Sequence, residues 1–218
     1  NLKYFIVKNL GSRVNKYKFI GFNAGWIIGK IKKSYLSIHL RPKNSKDVNY
    51  SNNSKKNNSD FGVILQGPIS VNGDKGEFLY ETLKIYKKIF YNCNIVLSTW
   101  KIDEKLKKKF EALEIKIIEN VEPNDEKFGT VRNIDRQILT TYSALKYLNE
   151  KKVIYSLKTR TDWRMYKPDV HHFLKNILNT FPIKNNYIKG RIIIPSMITC
   201  KFKIYGMADT LQFGFTED

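Results

Sequence analysis

With 218 residues the chain has room for one sizeable core and a small appendage, and its formal charge of +19 comes mostly from lysine. No run reaches the roughly 20 apolar residues of a membrane span, and nothing resembles a secretory signal with a cleavage site. Cys93 and Cys200 lie far apart on apolar stretches without metal-ligand spacing, which points to buried cytosolic thiols, not a disulfide or a zinc centre.

The charge is uneven. Residues 1–60 hold thirteen Lys and Arg against Asp47 and Asp60 alone. Residues 1–40 alternate aromatic, aliphatic and basic groups. Within them Phe19–Ile28 is nearly uncharged and sits between Lys16/Lys18 and Lys30/Lys32/Lys33. Such a segment suits an anionic membrane surface; an arm docked on its own domain or on a partner subunit is the alternative. Residues 41–60 are polar, low in complexity and too poor in apolar groups to offset ordering, so they read as a flexible linker. The compact domain, 61–218, then begins at Phe61.

From there strand and helix alternate. Phe61–Leu65 reads as a short buried strand ending at Gln66-Gly67-Pro68. A loop with Gly73 and Gly76 leads to a helix over about 77–90, whose apolar side carries Phe78, Leu79, Leu83, Tyr86 and Phe90. Asn94–Ser98 is a second strand, closed by Thr99-Trp100. A lysine-rich helix over about 103–111 and a third strand over about 115–118 follow. After a loop with Pro123 and Gly129, a helix over about 131–148 is expected, with Ile134, Ile138, Leu139, Tyr142, Leu145 and Leu148 at helical spacing. A strand over about 153–157 comes next, then a helix over about 170–181, a strand-like Arg191–Ile194 and another strand over about 199–205. Residues 209–218 resist placement. The order is α/β: a three-layer α/β/α sandwich with a mostly parallel, mixed sheet and right-handed crossovers. The chain ends where such a fold is expected to continue, which reads as a truncation. There is no internal repeat.

Charged groups collect after the strand at 153–157. Arg160, Asp162 and Arg164 would stand at its carboxyl end, the edge where ligands of open α/β sheets gather. Two guanidinium forks beside one carboxylate suit an anionic substrate such as a diphosphate, with Asp162 as a candidate Mn²⁺ or Mg²⁺ ligand; a structural Asp–Arg pair is the plain alternative. Gly67 lets backbone approach a ligand, Pro68 stiffens the exit, and the Gln66 amide can bond a base or ribose. No GxGxxG or GxxxxGK phosphate fingerprint occurs. Asn133 and Arg136 share a helix face and could meet an anion at the helix start. Asp209, in a loop with aromatic surroundings, is a candidate general base; Glu217 and Asp218 compete for that role. His171 and His172 open a predicted helix with no third ligand expected nearby and read, like His39, as solvated or capping.

Several stretches together resemble the WavE lipopolysaccharide-synthesis family, bacterial GT-A-like glycosyltransferases. They are Val63-Ile-Leu-Gln-Gly-Pro-Ile69, Ile95-Val-Leu-Ser-Thr-Trp100, Asn133-Ile-Asp-Arg-Gln137 with Thr140-Thr141, Leu157-Lys-Thr-Arg-Thr-Asp162, and Ala208-Asp209 with Phe213-Gly214 and Glu217-Asp218. The resemblance implies a GT-A-like fold and transfer of a sugar from a nucleotide-sugar donor to a lipid-linked or oligosaccharide acceptor of lipopolysaccharide or capsule synthesis. It implies that Gln66, Gly67 and Pro68 lie by the nucleotide and that Asn133 and Arg136 line the same cleft; Thr99 and Arg164, at strand ends, are further donor-site candidates read from the residues themselves. Asp162 and Arg160 would stand near the phosphates and Asp209 near the acceptor. Where metal-dependent GT-A enzymes carry Asp-x-Asp, this chain has Arg160-Thr161-Asp162, which leaves metal dependence open. A cytoplasmic location beside the inner membrane would follow from a lipid-linked acceptor. Two other classes stay in view. One is a non-catalytic scaffold or glycan- or nucleotide-binding protein in polysaccharide assembly. The other is a basic nucleic-acid-binding module, which the lysine excess permits but the missing helix-turn-helix, zinc and RNA-binding signatures disfavour.

Overall fold

The computed structural model describes residues 41, 44–48, 58–69, 74, 76–123, 133–183, 187–196, 199 and 207–218. The arm 1–40, all of 49–57, Gly73, Gly129, Cys200 and nearly all of the strand expected at 199–205 lie outside the described residues. The elements named below belong to the compact unit Lys43–Asp218.

Five strands form one sheet: β1 (Phe61–Gln66), β2 (Asn94–Thr99), β3 (Lys116–Glu119), β4 (Tyr155–Arg160) and β5 (Leu211–Phe215), in the order β3-β2-β1-β4-β5. The first four are parallel to their neighbours, and β5 pairs antiparallel with β4. The helices are α1 (Glu77–Ile89), α2 (Glu104–Glu111), α3 (Asn133–Glu150) and α4 (Val170–Thr180). The fold is therefore mixed α/β with a mostly parallel sheet flanked by helices, as the alternation of elements predicts. The stretch 209–218, which sequence pattern leaves unassigned, supplies the antiparallel edge. Arg191–Ile194 contributes a single bridge, Ile193 to Phe213.

Period-two alternation splits β1 between the faces. Phe61, Val63 and Leu65 enter a large cluster with Leu79, Leu83 and Tyr86 of α1, Phe110 of α2 and Leu174 of α4. Ile64 enters a small cluster with Ala144 and Leu148 of α3. α1 and α2 thus cover one face and α3 the other. The strands β1, β2 and β3 step outward in one direction, and the chain then returns through α3 to place β4 on the far side of β1. A constant crossover hand requires that reversal to put α3 on the opposite face. Strand order therefore reverses between β1 and β4, which makes their carboxyl ends the topological switch point.

Helix starts follow local chemistry. The Asp103 carboxylate accepts from the amides of Lys105 and Leu106 at the start of α2, and Asp74 accepts from Gly76 and Phe78 at the start of α1.

Three expectations need correction. The spacing of Ile134, Ile138 and Tyr142 suggests a buried stripe on α3, yet all three are exposed, and Thr140, Ala144 and Leu148 face the sheet. Small side chains let α3 approach closely: a Cβ on Gly62 would come 2.5 Å from Leu148 Cδ1. The strand expected to end near 157 runs to Arg160. Charge there is tolerated because it is partnered: Lys158 Nζ donates to the Asp209 carbonyl at 2.5 Å, and Arg160 is paired as described below. Part of the expected linker is docked on α1. A 3₁₀ turn at Ser45–Asp47 buries Ser45 and Val48. The Ser45 amide donates to Glu81 Oε2 at 2.5 Å, and Lys88 Nζ donates to the carbonyls of Ser45 and Val48. One apolar side chain and three charge-assisted bonds hold a stretch that composition reads as mobile.

Candidate functional site

At the switch point a cavity of about 470 Å³ opens. Its floor is Gln66-Gly67-Pro68 from the end of β1 and Arg160-Thr161-Asp162 from the end of β4. Trp100 after β2, Glu122 after β3, and Asn133, Arg136 and Gln137 on α3 make its walls.

The floor is locked by β4. Thr161 N donates to the Gln66 carbonyl at 3.0 Å, and Thr161 Oγ1 donates to the Pro68 carbonyl at 2.7 Å. Gly67 has φ +124°, and a Cβ there would meet Thr161 Oγ1 at 3.0 Å, so glycine is required both by conformation and by the hydroxyl beside it. Gln66 is buried, and its Oε1 lies 3.0 Å from Thr140 Oγ1 of α3.

Gln66 and Arg160 are register partners, so both side chains stand on the α3 face. The Arg160 guanidinium forks onto Asp162, Nε to Oδ1 at 2.8 Å and Nη2 to Oδ2 at 2.6 Å, while Nη1 donates to Asp209 Oδ2 at 2.9 Å. These bonds use three of the five N–H donors of a guanidinium. Arg160 holds the Asp162 carboxyl below its ordinary range, and hydrogen bonding to Asp162 and Asp209 raises the guanidinium further. Arg136 pairs with Glu122 at 3.1 Å.

Lys158, two residues before Arg160 on the same face, is only 5 % exposed. Burial pushes its ammonium down to about 8; the Asp209 charge opposes this and Arg160 reinforces it. Its bond to the Asp209 carbonyl and the Arg160 bond to the Asp209 carboxylate grip that residue from both ends.

The structure thus brings Gln66, Gly67, Pro68, Asn133, Arg136, Arg160 and Asp162 to one cavity and ties Asp209 to it through Arg160. Two candidates fall elsewhere. Thr99 is buried, and its carbonyl accepts from the Asn120 amide at 2.8 Å. Arg164 lies over the Phe78 ring, 4.2 Å from its centroid, and donates to Thr82 Oγ1 and the Phe78 carbonyl, so it fastens the β4 exit to α1. The antiparallel course of β5 separates the competing acids. Leu211 pairs with Thr159 and Phe215 with Tyr155. Asp209 therefore sits at the carboxyl edge of β4, and Glu217 and Asp218 sit at its amino edge. There the Asp218 carboxylate accepts from the amides of Lys189 and Gly190. Trp100, Gln137 and Lys158 lie inside stretches already singled out in the sequence without being named there as site residues, and Glu122, just beyond β3, carries no motif of its own.

A divalent metal at Asp162 does not fit these residues. Both carboxylate oxygens accept from Arg160, and among the described residues Asp162 belongs to no group of three metal-ligating side chains. A guanidinium occupies the place a cation would take.

No family model matches the chain, and no curated protein matches it. Among solved structures, the chain is similar to the crystal structure of a "putative nucleotide-diphospho-sugar transferase" from Desulfovibrio desulfuricans G20. The identity is 10 % and the TM-score 0.33, over 56 % of this chain and 54 % of that one. The match spans about half the length of that neighbour, and a likeness so distant carries no chemistry.

Proposed function

We propose that the chain is a glycosyltransferase that moves a sugar from a nucleotide-sugar donor to an acceptor hydroxyl in lipopolysaccharide or capsule synthesis, akin to the WavE family. The observation that supports this best is the Arg160 fork at the switch point. It is a partly satisfied guanidinium at the floor of a cavity large enough for a nucleotide, beside a glycine turn that admits close backbone approach. In this reading the donor diphosphate takes the two remaining Arg160 donors and competes for Arg136. These guanidiniums spread the charge that develops as the bond from the anomeric carbon to the diphosphate oxygen breaks. The acceptor oxygen bonds to that carbon, its proton goes to Asp209, and the nucleoside diphosphate leaves. No step is routed through a metal. A lipid-linked or oligosaccharide acceptor, a cytoplasmic site beside the inner membrane, and contact of residues 1–40 with anionic lipid belong to the same proposal.

A panel of nucleotide sugars incubated with the protein, with Mn²⁺ or with EDTA, tests it. Donor-dependent release of nucleoside diphosphate that persists in EDTA is expected, with Asp162→Asn slower by about 100-fold or more. Turnover that Asp162→Asn leaves unchanged removes the fork from the chemistry. The full engagement of Asp162 favours one second reading, a nucleotide- or glycan-binding scaffold. Saturable donor binding without release from any donor would support it.

A further inference from the structure

At the opposite edge of the sheet, His171 and His172 in the first turn of α4 lie beside Asp169. One ligand atom from each falls within 4.8 Å of the others. His171 is only 2 % exposed, wedged between the rings of Phe61 (5.7 Å) and Phe90 (6.3 Å), and neither of its ring nitrogens has a hydrogen-bond partner. A buried imidazole normally satisfies at least one nitrogen, because an unmet polar atom out of water is costly. The ring of His172 is 4.1 Å away.

We propose that Asp169, His171 and His172 form a binding site for one divalent transition-metal ion of the zinc class. Two imidazole nitrogens and one carboxylate oxygen are a donor set for Zn²⁺, with Co²⁺ as a spectroscopic substitute, and a poor one for Mg²⁺ or Ca²⁺. Bond lengths of about 2.0–2.1 Å in a tetrahedron bring ligand atoms to roughly 3.4 Å from one another. The ligand set must therefore tighten, which the exposed Asp169 and half-buried His172 can do while His171 stays fixed in the core. The Lys175 ammonium one turn later opposes a cation but is neutralised by Asp60 at 2.6 Å.

His171 packs on Phe61 at the amino end of β1, about 17 Å along the strand from Gln66. The ion would thus hold together the first turn of α4 where it packs on the sheet, with a fourth position left for water, and take no part in the cavity.

The test uses the full chain, stripped with EDTA and titrated with Co²⁺ and then Zn²⁺. One equivalent of Co²⁺ with the visible absorption of a tetrahedral site, displaced by one equivalent of Zn²⁺, is expected. Zn²⁺ at about 100-fold above its Kd should raise Tm by about 5–10 °C. Asp169→Asn and His172→Ala change exposed or half-buried groups and should keep the metal-free Tm while losing both the absorption and the gain. His171→Phe fills the buried slot and should also lose the ion. No tetrahedral Co²⁺ spectrum in the unaltered chain, or an undiminished one in the Asp169 and His172 variants, overturns the site. Nucleotide-sugar binding is expected to stay unchanged in all three variants, so failure of this proposal and failure of the transferase reading are separate results.

Discussion

The two faces of the sheet differ in what they are made of. Among the described residues, eighteen buried apolar side chains form one cluster on the face covered by α1, α2 and α4, with Phe61 stacked on Phe90 and Phe213. On the α3 face only five do, and the same strands present Gln66, Lys158 and Arg160 there. Alternation along β4 shows the division: Leu157 and Thr159 point one way, Lys158 and Arg160 the other. Cohesion is concentrated on one side, which frees the other for charge that would otherwise be too costly to hold. Phe61→Ala or Leu83→Ala should therefore destabilise by about 3–5 kcal/mol. Ala144→Gly on the α3 face should cost about 1 kcal/mol by helix propensity. Equal losses in urea unfolding would abolish the distinction.

Lys158 sharpens the comparison because it is the charge that the polar face accommodates worst. Its folded value of about 8 lies below the 10.5 of a free lysine, so the unfolded chain binds more protons between those pH values. The penalty is complete below pH 8 and disappears as pH rises to about 10.5. It amounts to about 3 kcal/mol, partly offset by the bond to Asp209. Lys158→Met should accordingly stabilise the protein by about 2 kcal/mol at pH 7, with the advantage over the unaltered chain vanishing near pH 10.5. A pH-independent difference between the two chains would show that the ammonium is not confined by burial. If the grip on Asp209 also positions that residue, turnover should fall in the same variant while donor binding holds.

Arg160 comes next in size for stability. With Arg160→Met, two carboxylates lose their partner, and the variant should be less stable by about 1–3 kcal/mol near neutral pH. Asp162 titrates below its ordinary 3.8 because of Arg160, so its share of this stability is present above that pH. It is lost as pH falls through the depressed folded value. The two chains should therefore converge in acid, as unfolding measured from pH 2 to 7 would reveal. A constant gap would assign the loss to packing.

How much of this was legible beforehand varied with the physics. The strand–helix alternation and the charged cluster after 153 could be read because hydrophobic runs and exposed charge are local signals. Asp209 as the partner of Arg160, and the exclusion of Glu217 and Asp218, depended on the antiparallel return of β5, a pairing forty-nine residues apart for Arg160 and Asp209. Arg164 looked identical to Arg160 in pattern. One residue ends the strand and the other lies past a turn over Phe78, and composition does not separate them. Asp169 joined to His171 and His172 needed the burial of one ring, which helical spacing alone did not convey.

The smallest expected effect tests the misread face of α3. Ile134, Ile138 and Tyr142 recur at helical spacing, which ordinarily marks the packed side, yet they are 61 %, 61 % and 64 % exposed. Thr140 and Ala144 do the packing instead, since Gly62 lets Leu148 sink toward β1 and Thr140 must reach Gln66. If that orientation is right, Ile138→Gln changes stability by no more than about 0.5 kcal/mol, whereas Ala144→Leu crowds the sheet and costs about 1–3 kcal/mol. The reverse pattern would mean that α3 is rotated from this position. Asn133, Arg136 and Gln137 would then leave the cavity together, so this modest pair of unfolding curves also bears on whether the site has its wall.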